Sequence, residues 1–279
     1  MQTSSSVDYG YLRRLVFGLS QNVLDPSRDY LFDTRLTEVL RNRGMTRLEE
    51  LVQHLKVRKN PVLERSIAEA MTINETSFFR DGRPFELLRT DLLPKLIESR
   101  RQSRSLRFWS AACSTGQELY SIAILLKELL GDPDRYGIRL MGTDISNDAV
   151  ARASRGRFSP VEISRGLSEA QRTKYFAPVD GGWQIRDEIR AMASFQKLNL
   201  MADFSSLGRF DIIFCRNVAI YFTERDRIPL FGRMERALEP GGYLVIGAME
   251  SLNGICPQFE SKRHLRSLFY QVKTAPPRT

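Results

Sequence analysis

Two acidic side chains and a run of small residues carry the first chemical signal in this chain. The stretch Ala111-Ala112-Cys113-Ser114-Thr115-Gly116-Gln117-Glu118 follows an apolar run, Leu106 to Ser110, and leads into a helical pattern, Glu118 to Leu130. At a strand-to-helix turn of this kind, small side chains let backbone amides approach a ligand lying beyond the carboxyl edge of a sheet. Asp144 closes the next apolar run, Ile138 to Gly142, where a carboxylate is placed to accept hydrogen bonds from ribose hydroxyls. Gly116 stands alone where a dinucleotide fingerprint has three glycines, so a pyrophosphate fits less well than an adenosine cofactor without phosphates, such as S-adenosylmethionine. Without a ligand, the same residues also read as a tight turn and a helix-capping carboxylate.

These residues need a scaffold, and the pattern supplies one. Strand-like runs at Leu106 to Ser110, Ile138 to Gly142, Phe210 to Phe214, Tyr243 to Gly247 and Leu268 to Val272 alternate with helical stretches, which predicts a mostly parallel sheet covered on both faces. Ser146 is the expected cap of the helix after Asp144. Residues 156–195, with Gly181-Gly182 and Trp183, break the alternation and read as an insertion containing a short helix and a hairpin. Before residue 106 the pattern is helical throughout. Asp8 caps a helix carrying Tyr9, Leu12, Leu15, Val16 and Leu19; a second presents Phe32, Leu36, Val39 and Leu40 and stops near Gly44; Thr46 and Glu49 form the expected capping box of a third; Asn60-Pro61 opens a fourth. Pro84 starts a further helix, Phe85 to Arg100. The expected organisation is a helical domain over 1–82, a linker helix over 83–105 and a sheet domain over 106–279 with 156–195 inserted in it.

Composition bounds the remaining options. The 279 residues are 42% hydrophobic and 27% charged, with a net charge of +9, enough to bury a substantial core. The longest apolar stretches, Ile122 to Leu126 and Tyr243 to Ala248, fall far short of the ~20 residues of a membrane span, and Met1 to Val7 lacks the order of a secretory signal. The expectation is a cytoplasmic protein. Cys113, Cys215 and Cys256 are too widely spaced for a disulfide framework or a zinc site, so no metal is expected. Between Arg35 and Arg65 eight basic residues face four glutamates, which suits an acidic partner and equally suits a solvated helix face.

Further segments then resemble one family. Met71-Thr72-Ile73-Asn74-Glu75-Thr76-Ser77-Phe78-Phe79-Arg80-Asp81, Trp109 to Ile124, Gly142-Thr143-Asp144-Ile145, Asn199-Leu200, Phe214-Cys215-Arg216-Asn217-Val218 with Ile220-Tyr221-Phe222, and Pro240-Gly241-Gly242-Tyr243-Leu244 with Glu250-Ser251 resemble, in order, the signatures of the CheR family of chemotaxis receptor methyltransferases. The resemblance implies a class I S-adenosylmethionine-dependent methyltransferase fold: a Rossmann-like, mostly parallel seven-stranded sheet, preceded by a small helical domain and carrying an inserted β-subdomain. It implies that both regions contribute to one site, with Asn74, Thr76 and Arg80 at the methionine end of the cofactor. Glu118 would take the cofactor's amino group and Asp144 its ribose, and Ala112, in the loop after the first strand, would be a further cofactor-binding residue. Asn199 and Leu200 would flank the adenine, and Arg216 and Asn217 would close the site. Arg80 and Tyr221 would act in catalysis, Arg80 near the transferred methyl and Tyr221 on the acceptor carboxylate.

The implied reaction is methylation of chemoreceptor glutamates, with S-adenosyl-L-homocysteine as product. The implied partner is the receptor's cytoplasmic helical domain, with a receptor tail peptide as a further candidate for the β-subdomain. Nucleic acid is not an expected partner, and the chain is expected to be a monomer. Methylation of another acceptor such as RNA, or a non-catalytic cofactor-binding scaffold, are the competing readings. For Phe78 and Phe79 packing is the expected role, and for Arg80 an ion pair with Asp81 or Glu75 is the structural alternative. The sequence departs from the family pattern at Leu119, Ala219 and Ala248-Met249; none of these is a presumed cofactor ligand, and Ala219 and Met249 sit near the loops expected to frame the acceptor.

Overall fold

A computed structural model describes residues 7–72, 75–264 and 267–273. The chain divides into two compact units, Met1–Ile73 with Tyr221–Asp226, and Asn74–Ile220 with Arg227–Thr279.

The first unit is helical: α1 (Tyr9–Ser20), α2 (Tyr30–Arg35), α3 (Thr37–Arg41), α4 (Leu48–Val57) and α5 (Pro61–Ala70). Leu12 and Val16 of α1 join Phe32, Leu36, Leu51, Leu55, Leu63 and Ile67 in one buried cluster. Asp8 caps α1 by accepting from the Tyr11 N–H at 2.9 Å and also pairs with Lys56 at 2.6 Å. Asn60 caps α5, with Pro61 in its first turn.

Two expectations need correction here. The second predicted helix is two short ones joined at Leu36, because the hydroxyls of Thr34 and Thr37 donate to carbonyls three and four residues back, a competition that bends helices. The predicted Thr46–Glu49 box does not form: Thr46 bonds to Glu50 through its N–H and its hydroxyl, both at 3.3 Å, while Glu49 pairs with Arg47.

In the second unit, α6 (Arg83–Leu87) and α7 (Leu93–Ser99) are separated by a wide turn, Leu88–Leu92. The sequence predicted one helix here; Pro94 lacks the N–H that would close the ladder, and the backbone widens ahead of it. The strands are β1 (Ser105–Ala111), β2 (Gly137–Asp144), β3 (Arg157–Phe158), β4 (Phe176–Val179), β5 (Gly182–Ile185), β6 (Ala193–Lys197), β7 (Phe210–Cys215), β8 (Leu238–Ile246), β9 (Phe259–His264) and β10 (Ser267–Val272). Seven form one sheet in the order β6-β2-β1-β7-β8-β10-β9. The first five in that order are parallel, and β10 runs antiparallel to both β8 and β9. The central strands are apolar, β7 being buried along its whole length. Their crossovers include α8 (Gln117–Leu130) and α9 (Asn147–Arg155), and α13 (Glu224–Arg236) precedes β8. The order reverses at β1 and β7, so the loops after them open at the carboxyl edge where such sheets hold ligands.

The insertion holds α10 (Pro160–Ile163), α11 (Glu169–Tyr175) and α12 (Asp187–Arg190) around a three-stranded sheet, β3-β5-β4. Its sheet ends at Ile185; Ala193–Lys197, which the sequence reading included in the insertion up to residue 195, pairs with β2 instead. The structural division after Ile73 also falls earlier than the sequence boundary at 82. The cause is visible in Phe78, fully buried against Phe158 and Phe176 of the insertion, and in Phe79, whose N–H donates to Ser121 Oγ of α8 at 2.9 Å. Both aromatics pack, as their expected role requires.

Asp211, at the start of β7, is nearly fully buried and accepts from Arg100 Nε and from the Arg107 N–H, each at 2.8 Å. One carboxylate thus joins the end of α7, β1 and β7. Replacing Asp211 with Ala strands the Arg107 amide and the partly exposed Arg100, and should cost roughly 2–3 kcal/mol. Urea unfolding followed by circular dichroism measures it; a loss below about 0.5 kcal/mol would show that the bond contributes little.

Candidate active site

The loop after β1 is shaped by its backbone. Ala112, Ser114 and Gly116 have φ of 60°, 51° and 93°, a left-handed sequence that folds the chain tightly before α8. At Gly116 a Cβ would stand 2.9 Å from Ala153 Cβ and 3.2 Å from the Phe195 ring, so glycine is required by both conformation and space. Trp109 Nε1 donates to Thr143 Oγ1 at 2.9 Å, and the Cys113 N–H to the Thr143 carbonyl at 2.9 Å, locking the ends of β1 and β2 together.

Asp144 lies at that junction, 5% exposed, and accepts from the Ser114 N–H at 2.8 Å and the Ser146 N–H at 2.9 Å. Charge-assisted bonds of this kind hold a buried carboxylate in place. Ser146 caps α9 through the Ala149 N–H, as expected. Cys113 beside this carboxylate is driven well above the ordinary thiol range, first by burial and then by the charges of Asp144 and Glu118; burial likewise raises Cys215. Neither thiol is a nucleophile at neutral pH.

A second constellation centres on Arg216, just past β7, whose side chain is 2% exposed. Its Nη1 donates to Glu118 Oε2 at 2.7 Å; its Nη2 donates to Asp81 Oδ2 at 2.7 Å and to the Arg80 carbonyl at 3.0 Å. The guanidinium lies 5.7 Å from the Phe85 ring centroid. Ser110 Oγ donates to the other Glu118 oxygen at 2.7 Å. The strip 75–81, the first turn of α8 and the end of β7 thus converge on one buried cation. The strip is bent to reach it: Phe79 and Asp81 have φ of 48° and 67°, non-glycine conformations that cost about 1–3 kcal/mol each and persist where surrounding contacts enforce them. Arg216 with Asp81 and Glu118 carries one net negative charge, which a cationic amino group would balance.

The other sequence-derived residues fall as follows. Arg80 forms neither of its alternative ion pairs; Asp81 goes to Arg216, and Arg80 Nη1 donates to the Glu75 backbone carbonyl at 2.7 Å. Thr76 is half-buried and lines a cavity of about 240 Å³ with Thr115, Gln117, Arg152 and Arg165. Asn217, at φ 57°, donates its N–H to Glu250 Oε2 at 2.9 Å. Asn199 builds a turn, its Oδ1 accepting from the Met201 N–H at 2.9 Å, and the buried Leu200 offers its carbonyl to Arg233 Nη2 at 2.7 Å. Asn74 lies outside the described residues. Tyr221 belongs to the first unit, where its carbonyl accepts from the Val23 N–H at 3.0 Å. Sequence reasoning missed Ser110, Asp81 and Glu250 as structural partners of the site. All three sat within recognised segments, but nothing in their spacing disclosed what they hold.

A buried carboxylate at the end of β2, a tightly folded loop after β1 and a net negative cluster around Glu118 form a donor and acceptor set that fits S-adenosylmethionine. With the parallel order β6-β2-β1-β7-β8 and antiparallel β10, they define the class I methyltransferase fold dependent on that cofactor. Residues 74–266 match the family described as CheR methyltransferase, SAM binding domain. The chain is 35% identical over 276 residues to Chemotaxis protein methyltransferase Cher2 of Pseudomonas putida, spanning 97% of this chain and 100% of that one. It is likewise 35% identical to Chemotaxis protein methyltransferase 1 of Pseudomonas aeruginosa, with the same coverage, and to Chemotaxis protein methyltransferase 1 of Vibrio cholerae, spanning 97% and 98%. The chain belongs to the CheR methyltransferase family.

If the Arg216 cluster shapes the amino-group end of the site, Arg216→Gln removes a cation and its forked contacts. Cofactor affinity by calorimetry should then fall about tenfold or more. Asp81→Asn, which keeps the shape of the strip, should give a smaller loss. Wild-type affinity in Arg216→Gln would show that the cluster is structural alone.

Proposed function

We propose that this chain transfers methyl groups to glutamate side chains on the cytoplasmic helical domains of chemoreceptors, forming glutamyl methyl esters and S-adenosyl-L-homocysteine. The observation that supports it best is the convergence of Arg80, Asp81, Glu118 and Arg216 in one unit, inside the segment that matches the family. The names of the relatives place such methyltransferases in chemotaxis. The reaction's location would be the cytoplasm, where those receptor domains lie; among the described residues no helix is long and apolar enough to cross a membrane.

Bound S-adenosylmethionine supplies a methyl group activated by its sulfonium. The protein's task is then positional. A glutamate carboxylate is ionised at neutral pH, its reference pKa being ~4.3, so no residue has to remove a proton from it. Asp144 would hold the ribose, Glu118 the amino group, and Asn199 with Leu200 the adenine side. Arg80, anchored through Glu75, would orient charge at the reacting end. Tyr221 is assigned to the incoming carboxylate on the sequence pattern. Opposite charges that neutralise each other on the way to the transition state react faster where fixed dipoles replace water.

The deciding experiment incubates the full chain with labelled cofactor and receptor cytoplasmic fragments, then maps base-labile label. Ester label on glutamate is expected; base-stable label on nucleic acid or another side chain would overturn the reading. Arg80→Ala should lower kcat by about 100-fold, and Tyr221→Phe by about tenfold, the loss of one hydrogen bond to charge. Unchanged turnover in either removes that residue from the mechanism.

Among the basic residues between Arg35 and Arg65, Arg35, Arg41 and Arg43 are candidates for steering acidic receptor helices. Arg35 is committed to its own unit, with Nη1 donating to the Met71 and Thr72 carbonyls at 3.3 and 3.0 Å. Arg41 and Arg43 are exposed and carry the steering proposal. Reversing both to Glu should raise the receptor KM several-fold at low ionic strength, with the gap closing as salt screens the charges. A salt-independent KM would end the steering idea.

A further inference from the structure

Glu250 is a buried carboxylate, 7% exposed, that the proposed transfer leaves without a role. Its Oε2 accepts from the Gly247 N–H at 2.6 Å and the Asn217 N–H at 2.9 Å, and its Oε1 from the Ile220 N–H at 3.3 Å. The loop after β7 and the loop after β8 are therefore held by one anion. Space at this junction is closed as well: a Cβ on Gly247 would stand 2.6 Å from Glu250 Oε2 and 3.0 Å from the Asn217 nitrogen. Two large apolar side chains project from the loops that this anion joins. Met249, the residue before Glu250, is 90% exposed, and Ile220, one of its three amide donors, is 50% exposed. An isolated exposed apolar residue is ordinary. These two are different in placement: both are tied to the carboxylate that fixes Asn217, at the carboxyl edge of the sheet.

We infer that Ile220 and Met249 form an apolar rim that recognises the residues flanking the methylated glutamate, setting which acceptors the enzyme takes. The partner surface is an amphipathic helix of the receptor, with an apolar side chain one helical turn from its acceptor carboxylate. On a helix, residues three and four apart share a face, so a carboxylate directed into the site brings that neighbour to the rim. Glu250 makes the rim rigid by holding its backbone, which spares the complex the cost of ordering a loop on docking. Methionine suits the task, since its unbranched side chain adapts to more than one apolar shape. The inference rests on the glutamyl-transfer reading.

The test uses the full chain, labelled cofactor and a receptor fragment. In the Ile220→Ser/Met249→Ser double variant, the KM for the fragment should rise about tenfold, while kcat and cofactor affinity stay within about twofold. Met249→Leu should retain the wild-type KM. A fragment whose apolar neighbours of the acceptor are changed to Ser should lose the same factor with the wild-type enzyme and lose nothing further with the double variant, the signature of direct contact. If base-labile ester forms while KM ignores the double variant, or if enzyme and fragment losses simply add, the rim is overturned and glutamyl transfer stands. If the wild type leaves no base-labile label on any fragment, the transfer reading falls, and the rim with it.

Discussion

A single buried guanidinium organises the reactive edge of the second unit. Arg216 is shielded from water, and a charge in that position is tolerated only when its partners are fixed around it. Those partners come from two separate stretches of chain: Asp81 and the Arg80 carbonyl from the strip, and Glu118 from the first turn of α8. Each is held in turn, Glu118 by Ser110 and the strip by the Phe79 bond to Ser121. The left-handed conformations at Phe79 and Asp81 follow from this demand. Aspartate tolerates that conformation, whereas at Phe79 nothing in the local sequence favours it.

The same logic of anions holding backbone recurs along the edge. Asp144 gathers two amides from the loops on either side of it, and Glu250 gathers three. Loops that carry function are commonly the mobile parts of a fold. Here buried carboxylates fasten them without secondary structure, so the site keeps its shape between strand ends. The carboxylates also differ in what they join: Asp144 ties the loops after β1 and β2, whereas Glu250 ties those after β7 and β8.

Much of this was readable from residue types and spacing. The alternation of apolar runs with helical stretches disclosed the central strands, because β1, β2, β7 and β8 are buried on both faces and their composition is set by burial. The outer strands β6 and β9 escaped notice for the opposite reason: Gln196 and Lys197, or Glu260, Lys262 and Arg263, are edge residues whose charge protects an unpaired strand, and charge hides the apolar signal. Asp144 and the loop at Ala112 to Gly116 were legible as a strand-end site. The Arg216 cluster was legible only as a set of names, since nothing in spacing says that Asp81, rather than Glu75, meets Arg216, or that Arg80 turns to a backbone carbonyl. Helix boundaries failed where side chains compete for backbone bonds, as at Thr34, Thr37 and Thr46, or where Pro94 withholds one.

The anchoring of the linker helix has an evolutionary reading. Because Asp211 fastens the end of α7 to β1 and β7, and Phe78 is buried against the insertion, the strip and the linker helix belong in packing with the sheet. A recombination joint between relatives would be disruptive at the polar stretch 99–105, where composition alone suggests a seam. A helical bundle exchanged in this way would have to bring the 221–226 segment with it, so the two units are modular in packing but interleaved in sequence, and neither can be swapped by a single crossover.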